Sequence, residues 1–268
     1  MFGSEFANTL RRSWRQILMW GGVLGAFGFL ITVIIQDVDA LKQYAAVMED
    51  MPPALMQAFG VSSENTLATP EGYIAFGAFL YGAFIMAAFG VAAGTALTIN
   101  DEENGILDMV LSLPIPRWRI IAERFAAYII VTFGIAMLLF AGLFIGGQVS
   151  AFELDYGRIF ASCVNLLPFT MLTIAVTALL ATLLQRQGTV IAVAAVFVIG
   201  SYLLNFLGSS ASDTILADLQ GLSYFYYFDS EGTMMQGIAW GNFLGMVAVA
   251  LALIGASVYF FDHRNVGV

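Results

Sequence analysis

One cysteine, one histidine and one lysine occur in 268 residues, and each scarcity removes a chemistry. Cys163 lies in an apolar run with no second thiol, which excludes a disulfide framework and a thiolate metal site. His263 stands near the end of the chain and reads as a solvated residue rather than a ligand. Lys42 belongs to no Gly-x-x-x-x-Gly-Lys-Ser/Thr loop, so the chain has no P-loop with which to bind and hydrolyse ATP. His-Glu-x-x-His and Gly-x-Ser-x-Gly are also absent, and no carboxylate pair falls within an apolar run. The expectation is a non-enzyme, with no catalytic, cofactor-binding or metal residues of its own.

Charge is scarce as well. Charged residues make up 11% of the chain against 60% hydrophobic ones, and the mean hydropathy is +0.85. A soluble domain of this length needs more polar surface, so the composition is that of a polytopic membrane protein. Six apolar runs can each cross about 30 Å of hydrocarbon at ~1.5 Å per residue. They fall near Ile17–Ile35, Gly72–Thr98, Phe125–Gly147, Ile159–Leu184, Thr189–Leu207 and Gly237–Phe261. Open strand edges do not survive in lipid and the runs lack strict alternation, so the expected fold class is all-α. The first run follows three arginines but is too long for a signal h-region and lacks a small-residue cleavage site, so it reads as a retained signal-anchor.

Arg11, Arg12, Arg15, Arg117, Arg119, Arg124, Arg186 and Arg264 fall on one side of this six-span arrangement, and only Lys42 and Arg158 on the other. The positive-inside bias then places both termini and the 99–118 loop in the cytoplasm. Most of the acidic residues lie opposite, in the outer loops 36–71 and 208–236 and around Glu153 and Asp155. The net charge of −9 is therefore largely extracytoplasmic, and a near-neutral inner face gives no support for nucleic-acid binding. Residues 1–268 read as one transmembrane domain. In the second outer loop, the run Tyr224-Phe225-Tyr226-Tyr227-Phe228 reads first as an interfacial aromatic belt, and alternatively as a re-entrant or gating element.

No ionisable residue lies within the spans so drawn, although ion-coupled carriers normally need one or else broken helices that bind ions through backbone. The polar residues there are mild, Asn165 and Thr182 among them. Thr170, Thr173 and Thr177 share one helix face, where back-bonding to their own helix is the plain reading and a substrate contact the sharper one. With Asn205 and Asn242 they are the candidate substrate path. Gly21–Gly25, Gly90–Gly94 and Gly241–Gly245 have the spacing for close helix approach. A membrane region of this kind is not self-powered.

The segment from Asn100 to Arg124 is the main polar interruption. Asp101, Glu102 and Glu103 lead into an apolar face of Ile106, Leu107, Val110, Leu111 and Leu113, and Pro114 and Pro116 follow. Acidic residues first and proline last punctuate a helix of about three turns. Taken alone, it could be an ordinary interfacial connector. However, Glu103-x-Gly105-x-Leu107, six residues, then Pro114-x-x-Arg117 closely resembles the cytoplasmic signature of ABC-2 type ABC transporter permeases. That signature lies between the second and third of six spans, as it does here. Ile106 replaces its usual threonine, and Pro116 a small polar residue.

The resemblance implies a permease subunit of an ATP-driven exporter in the inner (plasma) membrane of a bacterium or archaeon. It implies an N-terminal amphipathic connecting helix over 1–16, and a coupling helix within 99–118. It implies that Glu102, Glu103, Gly105, Ile106, Leu107, Val110, Leu111, Pro114 and Arg117 meet a separate ABC ATP-binding subunit. Two copies of that subunit would supply ATP and magnesium to a pair of permeases, alike or different, embedded in membrane lipid. An apolar, charge-free interior favours amphipathic or hydrophobic cargo such as a drug, an antibiotic or a lipid. The other readings are a stand-alone carrier or channel, and a non-transporting membrane anchor for an ATPase.

Overall fold

The computed structural model describes residues 3–34, 41, 68–97, 99, 116–150, 153–184, 186–210 and 218–263. Six helices there are long and apolar enough to cross a membrane, and no strand occurs among the described residues. They are α1 (Ser4–Ile34), α2 (Pro70–Ala96), α3 (Arg117–Val149), α4 (Tyr156–Leu184), α5 (Gln187–Ser210) and α8 (Trp240–His263). Two short helices, α6 (Tyr224–Phe228) and α7 (Ser230–Gln236), stand between α5 and α8. The fold is an all-α polytopic membrane protein, as the apolar run lengths required.

Five of the six long helices begin earlier than the hydrophobic runs that announce them, and α8 begins three residues later, at Trp240. The amphipathic stretch from Ser4 and the first span form one unbroken helix. Gln16-Ile17-Leu18-Met19 contains no helix breaker, so nothing in the sequence separates the two. Similarly, α3 starts at Arg117, and Arg119, Glu123 and Arg124 ride on its first turns.

α4 sits at the centre and packs against α2, α3, α5, α7 and α8. Its hydrophobic window is 72% buried, against 22% for α1, α5 and α8, so the latter three turn most of their apolar surface outward. Val196 and Ile199 on α5 and Leu244 and Leu251 on α8 are exposed, an arrangement that suits lipid contact rather than water. The tightest internal joint is α1 on α3, which run parallel. A Cβ on Gly25 would come within 2.7 Å of the Leu138 carbonyl oxygen, and one on Gly142 would overlap the Gly25 backbone. Only small residues permit that approach, and dispersion between the two backbones then holds the pair. Gly90 and Gly94 of α2 play the same part against Thr173 and Thr177 of α4. A Cβ on Gly241 or Gly245 of α8 would meet no atom of the described residues within 4 Å, so both face outward.

Chain direction places the starts of α1, α3 and α5 and the ends of α2, α4 and α8 at one end of the bundle, termed the near end. The α6–α7 hairpin marks the far end. On the far side α2 opens with Pro70 behind a Thr69 cap, whose hydroxyl accepts from the Gly72 N–H at 3.2 Å. It then passes through a π-helical segment, Ala75–Leu80, on which α7 packs. Such wide turns cluster at functional sites.

Candidate functional site

Alternate sides of the aromatic run have opposite fates. Tyr224, Phe225 and Phe228 are buried, whereas Tyr226 and Tyr227 are exposed. Tyr224 stacks between Phe169 of α4, with centroids 4.5 Å apart, and Phe197 of α5, at 5.3 Å. Phe225 meets Phe169 edge-on at 5.0 Å and lies 5.3 Å from Phe84 of α2. Phe169 is thirteen residues inside α4, so these rings meet about 20 Å below the far end of that helix. The run is therefore a re-entrant element lodged in the bundle, not a belt at its rim. The preference of tyrosine for interfaces is outweighed here by ring-on-ring packing with α4 and α5.

Neutral hydrogen bonds fix the hairpin. Asn165 of α4 donates through Nδ2 to the Phe228 carbonyl at 2.6 Å and to Thr233 Oγ1 at 3.0 Å. Ser223 Oγ donates to the Ser201 carbonyl at 2.6 Å, and the Tyr224 N–H to Ser201 Oγ at 3.1 Å. Between α6 and α7 the chain turns at Asp229, whose φ of +33° is the only positive value at a non-glycine among the described residues. Asp229 tolerates that conformation and caps α7, accepting from the Gly232 N–H through Oδ1 at 2.9 Å. Pro168, one turn below Asn165, removes a backbone donor from the middle of α4 and leaves the Val164 carbonyl without its helical partner.

Beside the hairpin lies a cavity of about 490 Å³. Leu80 comes from α2; Tyr202, Asn205, Phe206 and Ser209 from α5; Asn242 from α8; and Gln220, Phe225, Tyr226, Phe228, Asp229, Ser230 and Glu231 from the connection between α5 and α8. Asn205 is held by Gln220, whose Nε2 donates to its Oδ1 at 3.1 Å. Two residues of the candidate path, Asn205 and Asn242, thus converge. Thr170, Thr173 and Thr177 do not join them. They are buried facing α2, and each donates to the carbonyl four residues earlier, at 2.8, 3.1 and 2.8 Å.

At the near end the start of α1 is capped from a distance. Glu123 Oε1 accepts from the Gly3 N–H at 3.2 Å, and Oε2 from the N–H groups of Glu5 and Phe6 at 3.1 and 3.2 Å. A carboxylate at an N-terminus both satisfies orphan donors and suits the helix dipole. Arg119 Nε donates to Glu123 at 2.6 Å. Next to it, Arg124 Nη1 donates to the Leu97 carbonyl just past α2 at 3.1 Å, and its Nε lies 3.5 Å from Glu5 Oε2. One dyad on α3 therefore joins α1, α2 and α3 where the 100–115 segment departs. Glu102, Glu103, Gly105, Ile106, Leu107, Val110, Leu111 and Pro114 lie outside the described residues, as does the Arg117 side chain. The sequence reading noted Asn165 and Arg124 without their joining roles, and missed Glu123 and Ser201. A Glu-Arg pair bordering an apolar run was the available signal for the dyad.

Six helices long and apolar enough to cross a membrane define an integral membrane protein of the polytopic helical class. Residues 2–262 match the family described as Multidrug efflux system permease Rv1217c, C-terminal domain, and the chain belongs to that family. It is accordingly a multidrug efflux permease component. No curated protein matches the chain.

Proposed function

We propose that the chain is the membrane-spanning subunit of an ABC-2 type exporter, driven by a separate ATP-binding subunit that supplies ATP and magnesium chemistry. The observation that carries this reading is family membership over residues 2–262 in a chain without a P-loop: an efflux permease lacking a nucleotide site needs an external source of work. The Glu103–Arg117 signature between the second and third crossing helices supports the same assignment. In this reading the near end is cytoplasmic, the membrane is the cell's plasma membrane, and two permeases pair with two ATPases. ATPase closure pushes on the segment carrying Glu103 and Leu107. The displacement enters the bundle through the end of α2 and the start of α3, and Arg124 and Glu123 carry it to α1. Cargo is amphipathic or hydrophobic.

Reconstitution provides the test. The permease is co-purified with its ATPase, placed in proteoliposomes and assayed for ATP-dependent movement of a hydrophobic dye. Movement that requires ATP and stops on Glu103→Ala is expected. Movement by the permease alone, driven by an ion gradient, would overturn the assignment.

A further inference from the structure

We propose that the far-end cavity is a binding site for cargo and that it selects organic cations, that is, amphipathic amines and quaternary onium compounds. The proposal rests on the efflux reading and adds the charge of what is carried. Among the described residues no lysine, arginine or histidine lines the cavity, whereas two carboxylates, Asp229 and Glu231, do. Asp229 spends one oxygen on capping α7; its Oδ2 accepts no hydrogen bond among the described residues and remains available to a ligand. The turn at φ +33° and the α7 cap fix where that carboxylate stands, so little side-chain ordering remains to be supplied on binding.

The second contribution is aromatic. Tyr202, Phe225, Tyr226 and Phe228 line the same cavity, Tyr226 the exposed one among them, and ring faces attract cations that have already shed water. An onium group between rings and carboxylates keeps favourable electrostatics on both sides, while its apolar substituents meet Leu80 and Phe206. Asn205 and Asn242 add polar, uncharged contacts. The volume of about 490 Å³ is that of a site for a drug-sized molecule. An anion of equal size meets two like charges there.

The field around the site points the same way. Glu71, Glu153, Asp155, Asp218, Asp229 and Glu231 lie at the far end among the described residues. Arg158, the basic residue among the described ones there, is paired with Asp155 at 3.3 Å. A negative far end draws cations toward the cavity and repels anions.

Tetraphenylphosphonium and tetraphenylborate, nearly identical in shape and opposite in charge, provide the test. Each is bound to the purified full-length permease in nanodiscs, with wild type and the Asp229→Asn/Glu231→Gln variant compared so that partition into lipid cancels. Asparagine caps helices and tolerates positive φ, so the variant keeps the hairpin. Glu231→Gln alone, which leaves the Asp229 turn untouched, gives a second reading. The expected result is saturable phosphonium binding about tenfold weaker in the double variant, about threefold weaker in Glu231→Gln, and no site-specific borate binding in wild type. Tyr226→Ala should also weaken phosphonium binding by about threefold. Equal binding of both ions, or phosphonium binding unchanged in the double variant, overturns the proposal. Because no ATPase enters this assay, cation binding without ATP-driven transport would sink the exporter reading alone. Transport of neutral dyes that ignores both carboxylates would sink the cation proposal alone.

Discussion

At the near end of the bundle Glu123 and Arg124 draw three helices together with charged groups, whereas at the far end Asn165, Ser201 and Ser223 hold the hairpin with neutral ones. Charge-assisted bonds are shorter and roughly twice as strong as neutral bonds, and removal of one partner leaves an uncompensated ion. The near-end joint is therefore suited to moving as a unit. The far-end joint combines hydrogen bonds worth about 0.5–1.5 kcal/mol each with ring contacts, and such a set can be released stepwise. In the exporter proposed above, force received at the near end and opening at the far end would draw on this asymmetry.

Four substitutions probe it. The largest effect belongs to the frame common to both ends: Gly142→Leu drives a side chain into the Gly25 backbone, and should abolish the folded protein in detergent, read by size-exclusion profile. Arg124→Ala should leave a monodisperse protein, because the α1–α3 joint persists, yet strip the Leu97 carbonyl and Glu5 of their partner. Transport should fall by about tenfold or more while binding of a hydrophobic dye persists. Asn165→Leu leaves the Phe228 carbonyl without its donor and should destabilise the hairpin by about 1–3 kcal/mol, seen as faster hydrogen exchange confined to 218–236. Tyr224→Phe keeps the stacking on Phe169 and Phe197, and should change thermal stability by less than about 1 kcal/mol; a larger loss would mean that the hydroxyl, not the ring, anchors α6.

The six crossings were legible because apolar length alone announces them. Their starts were not. The extension of α1 to Ser4 is capped by Glu123, more than a hundred residues away, and no local window contains that partner. Helical spacing put Thr170, Thr173 and Thr177 on one face correctly, but that the face meets Gly90 and Gly94 depends on how α2 lies on α4. Asn205 and Asn242 stood out as polar residues in apolar runs; their convergence required α5, the hairpin and α8 together. The aromatic run misled because tyrosine and phenylalanine also favour membrane interfaces, and only Phe169 and Phe197 reveal the deeper seat. The Glu103–Arg117 motif rests on the residues alone, because all of it before Pro116 lies outside the described residues.

The most direct test of coupled ends is ATP-dependent accumulation of a cationic dye in inside-out vesicles that hold the permease with its ATPase. Wild type is compared with Arg124→Ala. The account predicts accumulation in wild type and little in Arg124→Ala, with equal dye binding by the two purified proteins. Equal accumulation in both, or accumulation without any ATPase, would contradict it.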